Sequence, residues 1–277
     1  MISPYYALTI KGAEAGAKKE GYSLRPISPE RETDYAGQVR IVEDMVTEGV
    51  DGIAICAINA DAISAAVRKA NEANIPVIVF NSLTDLPNCK VEAYVGYDQR
   101  RCGRTIVDFV AKKLNGKGNI AIIEGLPGYH TNERAGGIRD RIAEKYPDLK
   151  IVATQPGDWE REKGMNAAQN MLISHPEIDA FIGLSDEMAL GAVQAARQAG
   201  REDLIIVGND GNPSAVESIR EGRLTGSCYT YPHINGLLAI DAFKEIFENG
   251  LTKKIWEVDM VVINAENVEE ISNLKIE

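Results

Sequence analysis

The chain has 277 residues, 44% of them hydrophobic and 26% charged, an ordinary composition for a globular protein and enough chain to bury two cores. Its 41 Asp and Glu outnumber its 30 Lys and Arg, for a net charge of -11, which argues against a nucleic-acid surface and against an anionic membrane. No stretch approaches the roughly 18–20 consecutive apolar residues of a membrane span.

The segment Met1 to Tyr6 has neither a basic start nor a long apolar core, so it does not read as a signal peptide. The chain is therefore expected either to be cytoplasmic or to have its leader outside this sequence. A helix is predicted over residues 7–20, a strand over 23–28, a helix over 34–48, a strand over 52–59, a helix over 61–73 and a strand over 76–81. Each strand is followed by a crossover helix, which forces parallel pairing. Residues 94–104 read as a linker to a second region of the same build.

That region starts with a strand over 119–125 and a helix over 132–146 closed by Pro147. Next come a strand over 150–156, a helix over 161–174, a strand over 179–185 and a helix over 187–198 ending at Gly200. A strand over 204–210 and a short helix over 213–221 ending at Gly222 complete it. Gly and Pro supply the stops that helix chemistry requires. Asp186 reads as an N-cap. Residues 224–230 with Tyr231-Pro232-His233 return to the first region, 235–250 form a last long helix, and 256–264 a last strand that crosses again.

Runs apolar on both faces are strands of a parallel sheet covered on each side. The expected fold is α/β: two doubly wound, Rossmann-like parallel-sheet lobes joined by a three-segment hinge. Residues 1–97 with 231–259 form lobe 1, and 98–230 with 260–277 form lobe 2. Such a hinge implies a cleft between lobes. The second half opens with a strand where the first half opens directly at the turn Ser3-Pro4-Tyr5-Tyr6. The first strand of lobe 1 is thus missing, and the natural polypeptide is expected to carry that strand and a leader upstream of Met1.

In open parallel sheets, ligands bind beyond the carboxyl ends of the strands. Here those ends carry Asn81, Ser185 and Asp210, which are hydrogen-bonding groups without an accompanying nucleophile, base or metal cluster. Cys56, Cys89, Cys102 and Cys228 lack CxxC spacing, and His130, His175 and His233 are far apart; no metal, cofactor or catalytic residue is expected. Cys56 and Cys228 read as buried small hydrophobes, while Cys89 and Cys102 are a candidate disulfide in an extracytoplasmic protein. No GxGxxG follows a strand and no Walker loop exists, so the chain is not read as an enzyme.

Four motifs in order carry a resemblance over essentially the whole chain. They are Ser3-Pro4-Tyr5-Tyr6, Ala70-Asn71-Glu72-Ala73-Asn74-Ile75-Pro76-Val77-Ile78, Ser185-Asp186-Glu187-Met188-Ala189-Leu190-Gly191-Ala192, and Val207-Gly208-Asn209-Asp210-Gly211. Together they resemble the periplasmic sugar-binding proteins of ABC importers, of the ribose-binding type. The resemblance implies a type I periplasmic binding protein fold with one sugar held in the cleft. It also implies an extracytoplasmic monomer that delivers its ligand to ABC transporter membrane subunits, with no nucleic-acid partner.

The ligand-binding positions it implies are Ser3, Tyr5, Tyr6, Asn81, His130, Arg134, Trp159, Ser185, Asp210 and Thr230. Arg134 would fork onto sugar oxygens, Trp159 would wall the ring, and one of Tyr5 and Tyr6 would stack on it. Bland readings stand beside these: a solvated Arg134, a packing Trp159, a surface His130, an Asp210 that caps the helix at Pro213. Ribose binders carry Asp-Arg where this chain has Asn81-Ser82, Asn at Ser185, Gln at Thr230 and Asn at Ser3. The pocket should therefore be roomier and less charged, suited to a hexose, another pentose or a polyol. The rival is the effector core of a LacI-type repressor, which shares the fold. Against it stand the acidic charge, the lack of a helix-turn-helix before Ser3, and Gly211, where such repressors carry a second Asp after Asp210.

Overall fold

The structure is a computed structural model that describes residues 3–250 and 253–272. In chain order its elements begin with α1 (Pro4–Glu20), α2 (Tyr35–Glu48), β1 (Ile53–Ile55), α3 (Ala60–Glu72), β2 (Val77–Phe80) and β3 (Ala93–Gly96). There follow α4 (Gln99–Lys113), β4 (Gly118–Glu124), α5 (Tyr129–Lys145), β5 (Leu149–Pro156), α6 (Arg161–Ser174), β6 (Ala180–Gly183) and α7 (Asp186–Gln198). The last are β7 (Ile205–Asp210), α8 (Pro213–Arg220), β8 (Gly226–Tyr229), α9 (Pro232–Asn249), β9 (Ile255–Glu257), β10 (Val261–Asn264) and α10 (Val268–Ser272).

The chain divides into two units, Met1–Asp98 with Tyr231–Asp259 and Gln99–Thr230 with Met260–Glu277, and passes between them three times. In the first unit the described strands form one parallel sheet in the order β1-β2-β3-β9. In the second the order is β10-β8-β7-β6-β4-β5, parallel except where β10 runs against β8. The second unit has the richer sheet: Ile120, Ile122, Phe181, Ile182 and Val207 are wholly buried, as strands covered on both faces must be. Local signals set the helix starts. The side chains of Asp34, Asn59 and Ser185 accept backbone N–H bonds from Gly37, Ala62 and Met188, satisfying donors that a helix leaves open.

Four expectations are corrected. Residues 23–28 form no strand. A strand needs a neighbour for its hydrogen bonds. In the second unit β5 has β4 beside it, whereas the first sheet ends at β1 among the described residues. Leu24 and Ile27 accordingly stay 38% and 45% exposed. The linkers expected at 94–104 and 224–230 contain β3 and β8, short strands whose Gly residues hid them. The last strand expected at 256–264 is two strands, β9 and β10, one in each sheet. Cys89 and Cys102 are unbonded, and the sulfur beside Cys102 is that of Cys228, 3.3 Å away.

Candidate functional site

In the first unit, α1 starts at Ser3, whose carbonyl accepts the Ala7 N–H; the Ser3 side chain makes no cap bond. The first turn carries Tyr5 and Tyr6, rings edge-to-face at 5.3 Å. Asn81 follows β2 in the left-handed region, φ 58°, and is buried. Its Oδ1 accepts from the Tyr5 hydroxyl at 2.6 Å, and that hydroxyl accepts from Asn235 Nδ2 at 3.0 Å. Tyr5 is thus buried and positions Asn81. Tyr6 is half-buried, packs edge-on against Phe80 and shares a hydrogen bond of 3.2 Å with Cys56 Sγ. Burial, then Cys56 and Glu32, push its phenol well above the usual range, so it is a neutral hydroxyl. Of the two tyrosines, Tyr6 is the one with surface to offer a ligand.

In the second unit, α5 presents Arg134 from its second turn. The side chain is buried, which discards the reading of a solvated charge. Its Nε donates to Gln99 Oε1 and its Nη1 to the Leu184 carbonyl, each at 2.6 Å. The guanidinium lies 5.5 Å from the Trp159 ring, within cation–π range. Trp159 holds a positive φ of 67° and packs its indole over Gly125, where a Cβ would come within 2.0 Å of the ring. Any side chain at 125 would displace that wall.

Asp210 ends β7 at φ 127°, a conformation costly for a non-Gly residue and typical of functional sites. It is buried and accepts from Asn209 Nδ2 at 3.0 Å. Burial raises its carboxyl to about 7, with the Arg134 charge pulling the other way. The N-cap of α8 is Asn212, so Asp210 is not a cap. Nor is Asp186. Ser185 caps α7 by accepting from Met188 N at 3.4 Å, while the buried Asp186 carboxylate accepts from Gly211 N, Asn212 N and Ser227 Oγ at 2.8, 2.7 and 2.6 Å. Asp186 therefore ties the loop after Asp210 to β8. Burial and then the Asp210 charge raise its carboxyl, against these donors.

Thr230 follows β8, and its N–H donates to the Asp210 carbonyl at 3.4 Å. Its buried hydroxyl has no hydrogen-bond partner, nor do both amide atoms of Asn212 and Oδ1 of Asn235. Each such atom costs about 1–3 kcal/mol, which a bound hydroxyl or water can recover. His130 lies in the first turn of α5, half-buried, with its ring edge-to-face to Tyr129 at 5.6 Å. The helix starts three residues earlier than expected, so His130 is helical rather than in a loop.

The sequence reading missed Gln99, Asn212 and Asn235. Gln99 bonds a residue 35 positions away and Asn235 one 230 positions away, separations that no local pattern reveals. The chemistry offered is amide, hydroxyl, guanidinium and carboxylate groups beside aromatic faces, the set that a polyhydroxy compound needs.

Residues 2–254 match the family model described as periplasmic binding protein domain. The chain is 34% identical over 253 residues to the ribose import binding protein RbsB of Bacillus subtilis, covering 91% of this chain and 80% of that protein. It is 35% identical over 232 residues to the D-ribose/D-allose-binding protein of Pseudomonas aeruginosa, covering 81% of this chain and 72% of that protein. A solute-binding protein of an ABC transporter from Actinobacillus succinogenes, solved with bound D-allose, superposes with a TM-score of 0.91 at 30% identity, over 98% of this chain and 96% of that one. None of the three is named as a regulator. The chain belongs to the periplasmic binding protein family, as a type I fold of the sugar-importer kind.

Proposed function

We propose that this chain captures a neutral sugar or polyol outside the cytoplasmic membrane and hands it, as a monomer, to the membrane subunits of an ABC importer. The observation that carries the reading is the buried Arg134 guanidinium, held by Gln99 and Leu184 against Trp159, in the same unit as the buried Asp210 carboxylate. Charged groups make strong, directional bonds to hydroxyls, and an analogue lacking one hydroxyl leaves a buried group unpaired. An aromatic face suits the C–H face of a sugar ring.

In this proposal one ligand takes bonds from Tyr6 and Asn81 of the first unit and from Arg134, Asp210 and Thr230 of the second. Such a ligand shifts the population toward a closed form, which the importer would recognise. Asn81, Ser185 and Thr230 are short and uncharged, which favours a hexose or a polyol over ribose. No step breaks or forms a covalent bond, and the sugar is released unchanged.

A thermal-shift screen with D-ribose, D-allose, xylitol and myo-inositol tests the reading. At least one should raise Tm by several degrees at millimolar concentration by mass action. Arg134→Ala should abolish the shift. A panel without effect, or a variant that responds like the parent, would refute the assignment.

A further inference from the structure

Cys102 and Cys228 come together in the second unit from elements 126 positions apart in sequence. Cys102 lies in the first turn of α4 and Cys228 on β8. Their sulfurs are 3.3 Å apart and both side chains are wholly buried. A disulfide is about 2.0 Å long, so the sulfurs need approach by only roughly 1.3 Å. The pair is also continuous with the candidate site: Cys102 Sγ donates to Asn209 Oδ1 at 2.7 Å, and Asn209 Nδ2 donates to Asp210 Oδ1 at 3.0 Å. No role in ligand contact accounts for two thiols at this place.

We propose that Cys102 and Cys228 are a redox modification site, closing to a disulfide when the chain folds in an oxidising compartment. The oxidant is a disulfide, small-molecule or protein. The thiolate of one cysteine attacks it, forming a mixed disulfide and releasing one thiol. The second cysteine then attacks that mixed disulfide and releases the other. Two protons and two electrons leave the pair, and the oxidant departs as two thiols. The bond forms before β8 is covered. In the folded unit the hydrogen bond with Cys102 and burial push the Cys228 thiol well up, so little nucleophilic thiolate remains. The same burial then shields the bond from reductants. Closure consumes the Cys102 S–H, so Asn209 loses that donor and the contact to Asp210 is retuned.

The oxidising surroundings rest on the extracytoplasmic reading above, whereas the experiment supplies its own oxidant and adds no sugar. The purified protein is unfolded, refolded in a buffer of reduced and oxidised glutathione, denatured with maleimide and digested without reduction for mass spectrometry. Two maleimides per chain are expected, on Cys56 and Cys89, with one peptide pair joined through Cys102 and Cys228. Four maleimides, or a pair joined through other cysteines, would overturn the proposal. Cys228→Ser should give three maleimides and no joined pair; a cross-linked monomer in that variant would count against it. Failure of the bond leaves the sugar screen unaffected, and failure of the screen leaves the bond intact.

Discussion

Burial raises the Asp210 carboxyl to about 7, and the charge of its neighbour Arg134 opposes that shift. In the unfolded chain the same group titrates near 3.9. The folded state therefore prefers the proton. The stability it contributes is full below about 4, falls as pH rises through the window, and is gone above about 7. Asp210→Asn removes that dependence. The variant should match the parent in urea unfolding at pH 4 and exceed it at pH 8, by a few kcal/mol at most. For a ligand whose hydroxyls donate to the carboxylate the sign is opposite. Affinity should rise from pH 6 to pH 8 in the parent and be weak and flat in Asp210→Asn, as read by calorimetry. A variant that is less stable at pH 8 would show that Asp210 is ionised and well paired in the free protein. At Arg134, lysine keeps the charge but loses the planar fork that reaches Gln99 and Leu184 together. Arg134→Lys should therefore bind sugar at least tenfold more weakly, close to Arg134→Ala.

Two helix pairs, one in each unit, carry candidate site residues, and each pair touches through glycine. A Cβ on Gly12 of α1 would lie 1.8 Å from the His233 carbonyl oxygen of α9, and one on Gly103 of α4 would lie 2.1 Å from the Arg134 carbonyl oxygen of α5. Backbone cannot yield as a side-chain tip can, so the helices must separate. Gly103→Ala should cost about 1–3 kcal/mol in urea unfolding and also weaken sugar binding, because α5 carries Arg134. Gly12→Ala should cost as much, and its effect on binding should pass through Tyr5 and Tyr6. The sequence made much of this architecture legible, because buried parallel strands read as unbroken apolar runs with a polar residue at the end. That is how Asn81, Ser185 and Asp210 stood out. It failed where identity depends on a partner. Residues 23–28 have strand composition and, among the described residues, no strand to pair with. Asp186 occupies a cap-like place, yet the cap is Ser185. Asn212 is a plain loop residue by pattern, and its burial with both amide atoms unpartnered emerges only in three dimensions.

The two units differ in what secures them. The second has a sheet with β4, β6 and β7 flanked on both sides, whereas among the described residues the first has a shorter sheet that ends at β1, with residues 22–29 beside no strand. Stability need not be uniform across such a chain. The first unit should open at lower free energy than the second. In hydrogen exchange, amides of β1 and residues 22–29 should exchange fastest and those of β4, β6 and β7 slowest. Urea unfolding should show two steps when followed by Trp256 fluorescence in the first unit and Trp159 fluorescence in the second, each with the other tryptophan replaced by Phe. If the sugar bonds to Asn81 and Tyr6 as well as to Arg134 and Asp210, as proposed, it stabilises only the state in which both units are folded. Saturating ligand should therefore move the earlier step toward the later one and slow exchange at β1. If ligand protects the second unit alone, the side chains of the first unit are not part of the site.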